Sequence, residues 1–186
     1  MSLLFIITYC IWLLSEILLN RLLHSKSTDR QHADRNSLSL IWIIIITSIS
    51  LAVFISMRYA VPISYSPALQ YAGLALLITG IILRLAVVYS LGRFFTVDVT
   101  IRQDHKLIKT GFYKYLRHPS YSASFLSFIG FGICLDNWVS LLLIAVSILI
   151  VFIIRIKIEE KILIEEFGVE YIEYQKSTSA LIPFIY

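Results

Sequence analysis

Glycine, proline and cysteine are all scarce in this 186-residue chain, at seven, four and two. With so few glycines and prolines, no stretch reads as a flexible or extended linker, and a single domain is expected. Cys10 and Cys134 show neither CxxC spacing nor metal-ligand neighbours, so both are expected to be small buried hydrophobes and not a disulfide. The chain has no glycine loop of the nucleotide-binding kind, no GxSxG, no HExxH and no paired-cysteine zinc spacing. Its GxG, Gly130-Phe131-Gly132, falls inside an apolar run, where small residues let helices approach closely. No metal and no nucleic-acid partner is expected. The first apolar run has no Lys or Arg before it and no small-x-small site after it. Glu16 and Asn20 stand where a signal peptide would be cut, so residues 3–19 read as a retained helix.

What the chain does have is apolar side chain: 58% hydrophobic residues and a mean hydropathy of +0.81. A soluble domain of this length has too little core to hide that much, so the bilayer must be part of the solvent. Apolar segments at about 3–23, 38–57, 69–91, 120–135 and 138–154 predict an all-α, polytopic membrane protein with about five transmembrane helices. The fourth segment is short and is separated from the fifth by Asp136-Asn137, a turn-forming pair, which predicts a tight helical hairpin over 120–154. In this arrangement fourteen of the sixteen Lys and Arg residues fall on one side of the membrane, Arg58 and Arg84 being the exceptions. That side is expected to be cytoplasmic, with the N-terminus outside and the C-terminus inside.

Beyond Arg155 the pattern changes. Ile158, Ile162 and Leu163 are set apart from Glu159, Glu160, Glu165 and Glu166 at helical spacing. This predicts an amphipathic cytoplasmic helix running on from the fifth span, a stop or kink at Gly168, and a short helix over about 169–176. The final LIPFIY is apolar enough to fold back on the membrane face.

Two clusters could carry chemistry. One is HKLIKTGFYKYLRHPSY, residues 105–121, with Gly111 suited to a turn and Pro119 to a first helical turn. Here Arg117 could equally be an interfacial anchor, with Tyr113, Tyr115 and Tyr121 as an aromatic belt. The other is Arg155, Glu159 and Glu160; Arg155 and Glu159 share a helix face, which an ordinary i,i+4 ion pair would explain as well. Both clusters fall on the same face of the membrane, where a polar cofactor from the cytosol could meet a substrate from the bilayer.

The order RHPSY, EEKIL, FGVEYIEY and a late proline, preceded by LGRFFT and HKLIKTGFY, resembles the isoprenylcysteine carboxyl methyltransferase family over residues 91–186. The family's signatures are RHPxYxG, EExxL and FGxxYxxY. The resemblance implies an S-adenosylmethionine-dependent O-methyltransferase that forms a methyl ester on the C-terminal carboxylate of isoprenylcysteine. Its partners would be a lipidic or prenylated carboxylate arriving through the bilayer, and membrane lipids. Cofactor contacts would fall on His105, Lys106, Leu107, Ile108, Tyr113, His118, Pro119, Ser120, Tyr121 and Glu159. Arg155 would be catalytic and substrate-binding. Arg117 is grouped with it at the catalytic centre, with bracing of the loop against the C-terminal helix as its expected part. Residues 1–91 would be three N-terminal spans and 92–186 the catalytic core. Ala123 stands in place of the motif glycine.

Methyl transfer to a carboxylate needs no base, because the acceptor is already ionised at neutral pH. Related phospholipid N-methyltransferases share RHPxYxG-like and EE elements, but their amine acceptor must lose a proton, so a His or Glu would matter more. The FGVEYIEY tail favours the carboxyl branch. Membrane sterol reductases share a distantly similar core, but the chain is short for their helix count. A non-enzymatic membrane scaffold is the third reading.

Overall fold

The computed structural model describes residues 3–22, 30–31, 35–92, 95, 100–101 and 107–182. Six α-helices carry the fold: α1 (Leu3–Leu22), α2 (Arg35–Arg58), α3 (Pro67–Leu91), α4 (Pro119–Cys134), α5 (Trp138–Phe167) and α6 (Val169–Ser177). Two-residue strands β1 (Arg30–Gln31) and β2 (Thr100–Ile101) pair antiparallel, with Arg30 opposite Ile101. The expected all-α class, the hairpin and the amphipathic continuation of the last span are all present.

Among the described residues four helices, α1, α2, α3 and α5, are by length and composition able to cross a membrane. The exception is α4. At 16 residues it is about 24 Å long, short of the ~30 Å hydrocarbon core. It need not face lipid along its length, because it is wedged between α3 and α5. The expectation of about five spanning helices stands, with four long helices and one short inner helix, α4, that runs between the two ends of the bundle.

The α3–α4 contact is made backbone to backbone. A Cβ added at Gly130 would lie 2.7 Å from the Gly73 carbonyl oxygen and 2.9 Å from the Leu77 Cα. Only glycine permits that approach, as expected for the GxG inside the span. Trp12, Leu77, Phe128, Phe131, Ile144, Ile148 and Phe152 form one buried core through the bundle.

The turn between α4 and α5 is fixed by its polar residues. Asn137 caps α5, accepting from the Ser140 N–H at 3.0 Å, and donates to the Tyr59 carbonyl at 2.7 Å. Asp136 accepts from the backbone N–H groups of Ile63 and Ser64, both at 3.0 Å. The hairpin tip is thus tied to the loop between α2 and α3. Cys10 departs from expectation: it is exposed on the apolar surface of α1, whereas Cys134 is buried, and neither is in a disulfide.

At the opposite end of the bundle Pro119 opens α4, where its missing N–H costs nothing. The C-terminal segment returns to this point. Arg117 N–H donates to the Ser179 carbonyl (2.9 Å), His118 N–H to Ala180 (3.1 Å), and Ser179 N–H to Tyr115 (3.2 Å). Ala180 and Leu181 are buried against Ile156 of α5. Of the apolar tail, Leu181 and Ile182 pack with Ile156; residues 183–186, and with them the rest of the expected fold-back, lie outside those described.

Candidate active site

α5 runs past the apolar core and carries Arg155, Glu159 and Glu160 into the end of the bundle where α4 begins. Arg155 is 1% exposed, and its Nε donates to Glu159 Oε1 at 3.2 Å. The hydroxyl of Tyr121, one turn into α4, also donates to Glu159 Oε1. His118 lies between the two carboxylates, with Nδ1 3.4 Å from Glu159 Oε2 and Nε2 3.4 Å from Glu160 Oε1. Burial alone would discharge this imidazole. Its hydrogen bonds and proximity to Glu159 and Glu160 outweigh burial and hold its pKa above the ordinary histidine value.

Glu160 is the hub of a second, bracing network. It accepts from Arg117 Nε at 2.7 Å, from Gln175 Nε2 at 3.0 Å and from the Tyr171 hydroxyl at 3.5 Å. Arg117 also donates through Nη1 to the Gln175 carbonyl (3.1 Å) and to the Thr178 carbonyl. Its guanidinium therefore joins the loop before α4 to α5, α6 and the segment after α6. The Tyr174 hydroxyl donates to the Tyr113 carbonyl, and burial pushes its pKa up to about 12. Burial likewise raises Tyr113 and Tyr171, so these phenols remain neutral.

These side chains border a cavity of about 240 Å³, far more than the ~10–15 Å³ that holds one water. Leu107, Ile108, Tyr113, His118, Ser120, Tyr121 and Glu159 line it together with Arg117 and Arg155. Pro119, expected as a contact, is buried as the first residue of α4 and is not among the lining residues. His105 and Lys106 lie outside the described residues. Among the described residues no group of three or more His, Cys, Asp or Glu could hold a metal ion.

Two charged lining residues are absent from the motif-based expectation. Arg84 of α3 and Glu16 of α1 form a two-bond ion pair, Nε to Oε1 at 2.9 Å and Nη2 to Oε2 at 3.2 Å. Arg84 Nη1 reaches the Ser120 carbonyl at 3.2 Å and the Ser120 hydroxyl. The available signal was two opposite charges, each inside an apolar span, a pattern that marks paired, inward-facing groups.

Fold and site define a multi-pass membrane protein that encloses a charged, aromatic-walled chamber at one end of its helical bundle. The model of the isoprenylcysteine carboxyl methyltransferase (ICMT) family matches residues 73–165. Protein-S-isoprenylcysteine O-methyltransferase B of Arabidopsis thaliana is 35% identical over 145 residues, 73% of this chain and 74% of that protein. The Saccharomyces cerevisiae protein-S-isoprenylcysteine O-methyltransferase is 39% identical over 127 residues, 66% of this chain and 53% of that one. The solved structure of the eukaryotic intramembrane Ras methyltransferase ICMT aligns with a TM-score of 0.72 at 28% identity, covering 97% of this chain and 65% of that one. The chain belongs to the isoprenylcysteine carboxyl methyltransferase family.

Proposed function

We propose that the protein methylates the C-terminal carboxylate of an isoprenylcysteine, with S-adenosylmethionine as donor, at the cytoplasmic face of its membrane. One observation carries this reading: Glu159 meets Arg155, Tyr121 and His118 at once on the wall of a chamber otherwise lined mainly by apolar side chains. The donor, when bound, supplies a methyl group activated by a sulfonium centre. The residues present fit it. A carboxylate suits its ammonium or ribose hydroxyls, and aromatic faces suit a cationic sulfonium.

In this assignment Glu159 binds the donor's polar end, His118 and Tyr121 line its pocket, and the backbone at Leu107 and Ile108 holds the adenine edge. Tyr113 and Ser120 complete the wall, while His105 and Lys106 carry the same role by family resemblance alone. Arg155 orients the acceptor carboxylate through guanidinium N–H groups. No residue need act as a base, since the acceptor is already an anion. Arg117 acts by bracing. The chamber keeps water from the reacting atoms and holds them in line. A prenyl chain gains little on moving from lipid into the bundle, so recognition rests on the polar head. In this reading residues 1–91 supply three spans and 92–186 the catalytic core, with the N-terminus outside, an orientation supported by the bias of Lys and Arg to one side.

The test is titration calorimetry of S-adenosylmethionine against detergent-purified protein and its Glu159→Gln variant, followed by methyl transfer to a prenylcysteine carboxylate or an amine phospholipid. At least tenfold weaker donor binding in the variant, with a base-labile ester formed only on the carboxylate, supports the reading. Equal binding by both proteins, or transfer to the amine, overturns it.

A further inference from the structure

Arg84 and Glu16 are ionisable residues inside membrane-spanning helices, and the motifs give neither a part in the reaction. Such residues are costly in a bilayer and by default mark a functional site. Stability alone explains the pair poorly, because a buried ion pair often does no better than apolar side chains of the same size. Both residues line the chamber, and the Arg84 side chain is 14% exposed, so a molecule held there can reach it. A guanidinium has five N–H groups. Arg84 gives one from Nε and one from Nη2 to Glu16, and Nη1 serves the carbonyl and hydroxyl oxygens of Ser120. One N–H on Nη2 is left with no partner among the described residues. The Ser120 hydroxyl accepts from Arg84, and among the described residues its own O–H has no acceptor.

The charge on the wall points the same way. Arg84, Arg117 and Arg155 line the chamber against Glu16 and Glu159. That excess suits ligands bringing two carboxylates, one on the acceptor and one on the methionyl end of the donor. Arg155 is assigned to the first. Arg117 is occupied by Glu160 and by the Gln175 and Thr178 carbonyls. Arg84 is left for the second. The donor's carboxylate and ammonium share one carbon, so their partners must be neighbours. Ser120 holds Arg84 and Tyr121 holds Glu159, and these adjacent residues have Cα atoms about 3.8 Å apart. The Tyr113 phenol, whose pKa burial pushes up, is raised further by Glu159 and lowered by Arg84, so both charges act at one point of the wall.

We propose that Arg84 and the Ser120 hydroxyl form the subsite for the α-carboxylate of the methyl donor, with Glu16 as the positioning residue that holds the guanidinium. This rests on the methyltransferase reading above, with Glu159 taking the donor's ammonium. One arginine can serve two carboxylates because its planar N–H groups point along separate edges.

The experiment is titration calorimetry of the full chain in detergent with S-adenosylmethionine and with decarboxylated S-adenosylmethionine, which differ only in that carboxylate. Wild-type protein is expected to bind the carboxylated donor at least about tenfold more tightly, the size of a hydrogen bond to a charged group. In the double variant Glu16→Leu with Arg84→Met, which leaves no unpaired charge, this preference falls to within about twofold. Affinity for the decarboxylated donor and the KM for a prenylcysteine carboxylate stay at their wild-type values. If that variant does not fold, Glu16→Gln with Arg84→Gln keeps an amide-to-amide bond between the helices and must show the same loss. A variant that keeps the preference, weakens both donors alike or raises the acceptor KM overturns the inference. Wild-type protein that binds both donors equally overturns it too and leaves the methyltransferase reading standing. Wild-type protein that binds neither overturns both.

Discussion

Glu16→Ala removes the partner of a guanidinium that lies inside the bundle. The pair makes two N–H to carboxylate bonds, at 2.9 and 3.2 Å, and its side chains are only 14% and 21% exposed. Breaking a buried pair by deleting one partner costs roughly 3–5 kcal/mol, because the remaining charge stays desolvated. Partial exposure sets the expected cost at the low end, about 3 kcal/mol. Ser120 remains bonded to Arg84, but it offers no compensating charge. For a chain of this size each kcal/mol moves the thermal midpoint by about 2–4 °C, so Glu16→Ala should lower it by about 6–12 °C. The assay is helical circular dichroism against temperature in detergent. The double variant Glu16→Leu with Arg84→Met should lose less than Glu16→Ala alone, because it leaves no unpaired charge. A drop below about 2 °C for Glu16→Ala, or a double variant that loses the sum of the singles, refutes the reasoning.

Gly130→Val should force α3 and α4 apart, since its Cβ alone meets the Gly73 carbonyl oxygen at 2.7 Å; a cost of about 1–3 kcal/mol should appear as a lower thermal midpoint. Arg117→Lys cannot reach Glu160 and the Gln175 and Thr178 carbonyls together. Amide exchange at the Arg117 and His118 N–H groups should then speed up by at least about tenfold, the equivalent of ~1.4 kcal/mol. His118 contributes to the pH dependence of stability with a definite sign. Its folded pKa is raised, so its contribution is full below the ordinary value of 6.5 and is lost as pH rises through the folded value. The thermal midpoint should therefore fall across that window in the wild type, and His118→Asn should flatten the slope.

Much of this architecture could be read from local pattern. Asp136-Asn137 announced the hairpin because capping and turn chemistry are local. Gly168 separates α5 from α6 as expected, at a φ of 54° that favours glycine. RHPSY and EEKIL were visible as motifs, and the structure brings Tyr121, His118, Glu159 and Arg155 together. What was not legible is pairing across the bundle. Glu16 and Arg84 are 68 residues apart and on different helices. No periodicity within either helix reveals that they meet. The family pattern assigned Glu159 to the cofactor and gave Glu160 no role; only the return of α6 shows that Glu160 anchors Arg117, Tyr171 and Gln175. The shortness of α4 was legible, but its burial among the other helices was not, because hydropathy cannot tell a side chain in lipid from one buried among helices.

The backbone pairing of Arg117 and His118 with Ser179 and Ala180 bears on biosynthesis. The wall that positions His118 stays incomplete until chain as late as Ala180 has left the ribosome and swung back over α5. By then α1 to α5 have all been made. Competence is consequently gained in one late step, and a nascent chain stalled before that point holds its helices in the membrane without a finished chamber.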